Sequence, residues 1–107
     1  MPITYWNPLQ LQQAMQDNPD LMLVDVREDN EYAYASIAGS VHIPLRQLPQ
    51  HLDRFNTDQA LVLICHHGIR SLQACQYLQH FGFTDLYNLV GGIDAWSVTC
   101  DSTIPRY

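Results

Sequence analysis

The sequence predicts a three-layer α/β domain in which a mainly parallel central sheet of about five strands is flanked by helices on both faces. Three observations predict it. Short apolar runs alternate with segments of helical spacing, which implies right-handed crossovers between parallel strands. Leu21-Met22-Leu23-Val24-Asp25-Val26 and Leu61-Val62-Leu63-Ile64 are nearly continuous in apolar character, as strands covered on both faces are. The 107 residues suffice for a single domain with its own core and leave no room for a second.

In chain order, Ile3-Thr4-Tyr5 reads as a short strand. Asn7-Pro8 supplies a cap and a first-turn proline for a helix through Leu9, Leu11, Ala14 and Met15, which Asp17-Asn18-Pro19-Asp20 ends. The run 21–26 is the next strand, central in the sheet, and Arg27-Glu28 begins a polar turn. A short helix follows over 30–35, then Gly39 as a turn residue and Ser40-Val41-His42-Ile43-Pro44 as a strand that its proline stops. Residues 45–55 suggest one or two short helical pieces. After the 61–64 strand, the spacing of Leu72, Cys75 and Leu78 is helical, Ser71 is the expected cap, and Phe81-Gly82-Phe83 ends the helix on glycine. Leu86-Tyr87-Asn88-Leu89-Val90 is a fifth strand, and Gly91-Gly92 turns the chain into Ile93-Asp94-Ala95-Trp96. No repeat or linker interrupts this order.

Composition excludes several functions. Eleven acids stand against five bases, all of them arginine, for a net charge of −6. Without a basic stripe, nucleic acid and anionic membrane surfaces are not expected partners. No apolar stretch approaches membrane-spanning length, and the first residues lack a secretory pattern, so the sequence predicts a cytoplasmic protein. Cys65, Cys75 and Cys100 cannot all pair with one another and form no Cys-x-x-Cys, which argues against a disulfide framework. Adjacent Cys65, His66 and His67 do not suit one tetrahedral ion, so no metal and no cofactor is expected. An anionic ligand would have to be drawn in locally, because the overall field repels it.

That requirement points to Cys65-His66-His67-Gly68-Ile69-Arg70-Ser71, where a buried strand gives way to a glycine turn and a helix. Ligands of parallel sheets bind beyond the carboxyl ends of the strands, and Asp25-Val26-Arg27 and Cys65 each follow such an end. Unpaired N–H groups at a helix start attract anions, and a glycine lets successive N–H groups curl toward one point. Such surroundings lower a thiol's pKa from about 8.5 toward roughly 3.5–7.5 and make it nucleophilic without a dedicated base. The alternative is an inert cysteine at a strand end.

The order and spacing of several segments resemble the rhodanese family of sulfurtransferases, in particular its small single-domain members. These are Leu23-Val24-Asp25-Val26-Arg27-Glu28 with Glu31-Tyr32, Ile37-Ala38-Gly39-Ser40-Val41-His42-Ile43-Pro44, the Cys65 loop, Gly82-Phe83, and Val90-Gly91-Gly92-Ile93-Asp94-Ala95-Trp96. They span nearly the whole chain, so 1–107 reads as one rhodanese-like domain. Ala38 stands where the family often has proline. The resemblance implies that Cys65 takes sulfur from a small anionic donor such as thiosulfate, carries it as a persulfide and passes it to cyanide or to a thiol or protein-thiol acceptor. Backbone N–H groups of His66 through Ser71 would surround the outer sulfur. Arg27 is expected to help hold the donor or else to pair with Glu28 or Glu31. Arg70 either faces substrate or pairs with an acid such as Asp25 to brace the turn, and Asp25 is a structural support rather than a base. His66 and His67 tune the mouth of the site or are merely tolerated there.

Two rival readings remain. Cell-cycle dual-specificity phosphatases resemble the fold but place five residues between cysteine and arginine, whereas Cys65 and Arg70 enclose four, a ring suited to one sulfur rather than a phosphate. A non-catalytic or sensory module, or a sulfur carrier, is the other. Cys75 is expected to pack in the core. Cys100 is an exposed thiol in a polar tail or a partner for oxidised Cys65, and residues 104–107 either cover the domain or meet a partner. A monomer or weak dimer is expected.

Overall fold

The computed structural model describes residues 2–107. Five strands form one sheet in the order β1-β5-β4-β2-β3, and every pairing is parallel. Strand β1 is Thr4–Trp6, β2 Met22–Asp25, β3 Val41–His42, β4 Leu61–Ile64 and β5 Leu86–Leu89. Helix α1 is Pro8–Asp17, α2 Asp29–Tyr34, α3 Ile69–His80 and α4 Gly92–Thr99, with a 3₁₀ stretch over Leu45–Arg54. The expected α/β architecture is present, although β1 is shifted by one residue and β3 is only two residues long.

Two apolar clusters make it three-layered. Val24, Leu61, Leu63 and Leu86 pack with Ala74, Cys75 and Leu78 of α3 and with Leu48 on one face. Leu23, Val62, Ile64 and Leu89 pack with Leu11 of α1 and with Ile93 and Trp96 of α4 on the other. Alternate residues of β4 thus serve opposite faces, which is why that strand carries no polar position.

Helix ends follow local chemistry. Asn7 Oδ1 accepts the Gln10 N–H at 2.8 Å while Gln10 Oε1 accepts the Asn7 N–H at 2.8 Å, closing a capping box ahead of Pro8. Helix α3 ends in a Schellman arrangement, with Phe83 N–H on the Leu78 carbonyl and Gly82 N–H on that of Gln79. Its start differs from expectation. The helix begins at Ile69 after Gly68, whose φ of 103° turns the chain at once, so Ser71 lies inside the first turn and does not cap it.

Candidate active site

All five strands point the same way, so the carboxyl ends of β2 and β4 share a rim, and Cys65 leaves β4 at its centre. The thiol is buried, 1 % exposed, at the floor of the 65–71 loop. Gly68 N–H donates to Cys65 Sγ at 3.0 Å, and Ser71 Oγ lies 3.2 Å from the same sulfur. Ser71 Oγ also meets Asn88 Oδ1 at 2.5 Å, and Asn88 Nδ2 donates to the Gly68 carbonyl at 3.1 Å. Since the amide nitrogen faces a carbonyl, the Asn88 oxygen must accept, and the Ser71 hydroxyl donates to it. The protonated thiol therefore closes a circuit through Ser71, Asn88 and Gly68. On ionisation the Ser71 hydroxyl has a second acceptor in the sulfur itself.

Helix α4 holds the loop from behind. Ile93 and Asp94, in its first turn, donate to the carbonyls of Cys65 and His66 at 2.9 and 3.2 Å. Because a trans peptide sets N–H opposite C=O, the N–H groups of His66 and His67 point away from α4. This approach needs glycine at 92: a Cβ there would lie 2.4 Å from both the Cys65 and His66 carbonyl oxygens, and its φ is +61°. Helix α3 starts without a side-chain cap, and among the described residues the N–H groups of Ile69, Arg70 and Ser71 have no backbone or side-chain acceptor.

The expected ion pairs exist with partners exchanged. Arg27 does not face the rim for a donor. It is fully buried, its Nη2 2.7 Å from Asp25 Oδ2 and also on the Ala35 carbonyl, with Nη1 on the Glu31 carbonyl at 3.3 Å. Burial opposes its charge, but Asp25 and Tyr107 outweigh that and keep its pKa raised. Asp25 therefore pairs with Arg27 rather than with Arg70. Arg70 instead grips Glu31 in two parallel bonds of 2.6 and 2.9 Å. That pair, ahead of the opposing cost of burial, holds the Glu31 carboxyl down at about 2 and raises Arg70 further.

His66 and His67 lie at the mouth with ring centroids 3.9 Å apart. Burial first, then His67, lowers the His66 pKa and so disfavours its charged form, and its Nε2 is buried without a hydrogen-bond partner. Cys75 packs in the α3 cluster, where burial pushes its thiol up to about 12. Cys100 is half-buried at the end of α4, not exposed, and burial raises its pKa. No group of three or more potential metal ligands occurs among the described residues. Nor is any helix among them long and apolar enough to cross a membrane. A cavity of about 740 Å³ between Asp20, Met22 and Gln59 opens at the amino ends of the strands, away from the cysteine.

Sequence reasoning missed Asn88 and Tyr107. A buried amide inside the apolar run 86–90 was a usable signal for the first, whereas nothing in the sequence places residue 107 beside the loop.

The family model of the Rhodanese-like domain matches residues 7–99, which include every element that shapes the loop. The chain belongs to the rhodanese-like domain family. A rhodanese-like domain protein of Staphylococcus aureus superposes with a TM-score of 0.84 at 28% identity, over 98% of this chain and 99% of that one. The thiosulfate sulfurtransferase GlpE of Vibrio cholerae is 33% identical over 78% of this chain and 79% of its own length. The chloroplastic rhodanese-like/PpiC domain-containing protein 12 of Arabidopsis thaliana is 38% identical over 92% of this chain, which spans only 35% of that relative. Rhodanese-like architecture, and membership of a family whose relatives are named sulfurtransferases, thus rest on sequence and structure alike.

Proposed function

We propose that the protein is a sulfurtransferase that moves sulfane sulfur from thiosulfate or a similar anionic donor to a thiol through a persulfide on Cys65. The observation that carries this is the position of Cys65 Sγ. It sits on the Gly68 N–H, before a helix whose first three N–H groups have no protein acceptor. The thiolate attacks the outer sulfur of thiosulfate; the new S–S bond forms as the donor's own S–S bond breaks, and sulfite leaves with the electron pair. The outer sulfur of the persulfide then lies one bond, about 2.05 Å, nearer the mouth than Sγ, where loop N–H groups from His66 to Ser71 receive its charge. An acceptor thiolate removes it and restores Cys65.

A four-residue interval between Cys65 and Arg70 supports sulfur over phosphate chemistry. The relative named thiosulfate sulfurtransferase supports the choice of donor. Arg70, braced by Glu31, fixes the loop and sets a positive charge beside it. His66 and His67 guard the mouth.

Intact-mass measurement after incubation with thiosulfate tests the reading. Wild type, Cys75→Ser and Cys100→Ser should each gain one sulfur atom, and Cys65→Ser none. Cyanide should then discharge the loaded protein. Absence of added sulfur, or its retention in Cys65→Ser, refutes the assignment.

A further inference from the structure

Tyr107 lies outside the 7–99 segment matched to the family, yet three contacts hold it beside the cysteine loop. Its ring stacks on His66 with centroids 3.9 Å apart and planes 7° from parallel. A guanidinium only donates and a carboxylate only accepts, so the Tyr107 hydroxyl accepts from Arg27 Nη1 at 2.8 Å and donates to Glu31 Oε2 at 2.9 Å. Both partners are fixed. Arg27 is fully buried on Asp25, and Glu31 is bound twice by Arg70 of the loop. The hydroxyl thus sets where the ring lies.

The tail that carries this ring closes a circuit with the loop. Asp94, in the first turn of α4, donates its N–H to the His66 carbonyl at 3.2 Å and accepts Arg106 Nε on its carboxylate at 2.9 Å. Arg106 leads directly into Tyr107, which returns to His66 through its ring. His66 is therefore gripped twice, by its carbonyl from α4 and by its side chain from the tail. The circuit is anchored in the core, since Ser97 Oγ donates to the Ile104 carbonyl at 2.5 Å and Ile104 packs in the cluster that holds Ile93 and Trp96. His66 follows Cys65, and the planar peptides on its two sides carry the N–H groups of His66 and His67. Turning His66 would swing both.

We propose that Tyr107 is the positioning residue of the cysteine loop, its ring clamping His66 so that the peptides on either side of that residue keep the orientation from which their N–H groups meet the charge of the persulfide. Tyr107 acts through His66 and takes no part in the bond changes. The consequence for rate rests on the sulfur-transfer reading; the clamp does not. Of its two handles the ring is the one without a substitute. Loss of the hydroxyl leaves Glu31 and Arg70 joined by two bonds, whereas loss of the ring uncovers the face of His66 on which it lies.

The test compares Tyr107→Ala and Tyr107→Phe with wild type in the full chain, following the loading of Cys65 by release of sulfite across thiosulfate concentrations. Tyr107→Ala should lower the maximal loading rate about fivefold, the size of one aromatic contact, with the half-saturating concentration little changed. Tyr107→Phe, which keeps the ring, should restore the rate. Amide exchange at Gly68, whose N–H lies on Cys65 Sγ, should quicken in Tyr107→Ala far more than at Val62 in the sheet, and should return to the wild-type rate in Tyr107→Phe. An unchanged maximal rate, a Tyr107→Phe as slow as Tyr107→Ala, or equal quickening at Gly68 and Val62 overturns the proposal, the last because it marks a general loss of stability. Should thiosulfate add no sulfur to wild type, the sulfur-transfer reading falls instead, and exchange still decides the clamp: quickening confined to Gly68 upholds it, and no quickening there overturns it.

Discussion

Asn88 is the side chain on which the shape of the loop turns, because one amide answers both the Ser71 hydroxyl and the Gly68 carbonyl. Asn88→Ala strips the Gly68 carbonyl of its partner and leaves the buried Ser71 hydroxyl only the Cys65 sulfur, which costs about 1–3 kcal/mol. Urea unfolding should show that loss, and thiosulfate loading of Cys65 should slow with it. Glu31 gives a second expectation. Its carboxyl is held at about 2 against an ordinary 4.5, chiefly by Arg70, so its ion pair stabilises the fold fully above the ordinary value. That stability disappears as pH falls through about 2, because the unfolded chain takes up the proton first. Glu31→Gln should therefore be less stable than wild type by roughly 2 kcal/mol at pH 7, with the gap closing between pH 5 and pH 2. Unfolding curves across that range measure it. A gap that stays constant with pH would show that the pair is not the source.

Between α4 and the loop the deciding feature is distance. Ile93 and Asp94 reach the Cys65 and His66 carbonyls only because Gly92 has no side chain. Gly92→Ala puts a methyl group on two carbonyl oxygens at a positive φ, and a cost of about 2 kcal/mol or more is expected. Amide exchange at Ile93 and Asp94 should rise in that variant well above the change at Val62, which sits in the sheet away from the contact. The elements themselves were largely readable. Asn7-Pro8 marked the start of α1, and Phe81-Gly82-Phe83 marked the end of α3, since capping is local chemistry. The start of α3 was misplaced because Ser71 has a cap's residue type, while Gly68 supplies the turn and the serine hydroxyl is taken by Asn88 and Cys65.

For the molecule as a whole, charge and site oppose each other. A net charge of −6 repels the anionic donor of the proposed reaction, while the acceptor-free N–H groups at the start of α3 favour an anion at short range. Salt shortens the Debye length from about 30 Å at 0.01 M to about 8 Å at 0.15 M and so screens the distant repulsion more than the contact attraction. The rate of loading by thiosulfate should accordingly rise over that interval of added salt. A fall would mean that the local field already governs approach. The layered core sets the frame for this: alternate residues of β4 bury against α3 on one face and α4 on the other, which fixes where Cys65 emerges.

Periodicity, capping residues and glycine turns were enough to specify a parallel three-layer domain with a cysteine at a strand end, because each depends on neighbours within a few positions. Pairing across the fold was beyond them. Arg27 and Arg70 each had several acids within plausible reach, and Asp25 and Glu31 went to the opposite partners from those expected. Tyr107 is 76 residues from Glu31 along the chain and is brought to it by residues 100–106, which are tied back to α4 through Ile104 on Ser97 and Arg106 on Asp94. Such contacts depend on which surfaces the folded chain leaves side by side, and no local rule of sequence encodes that.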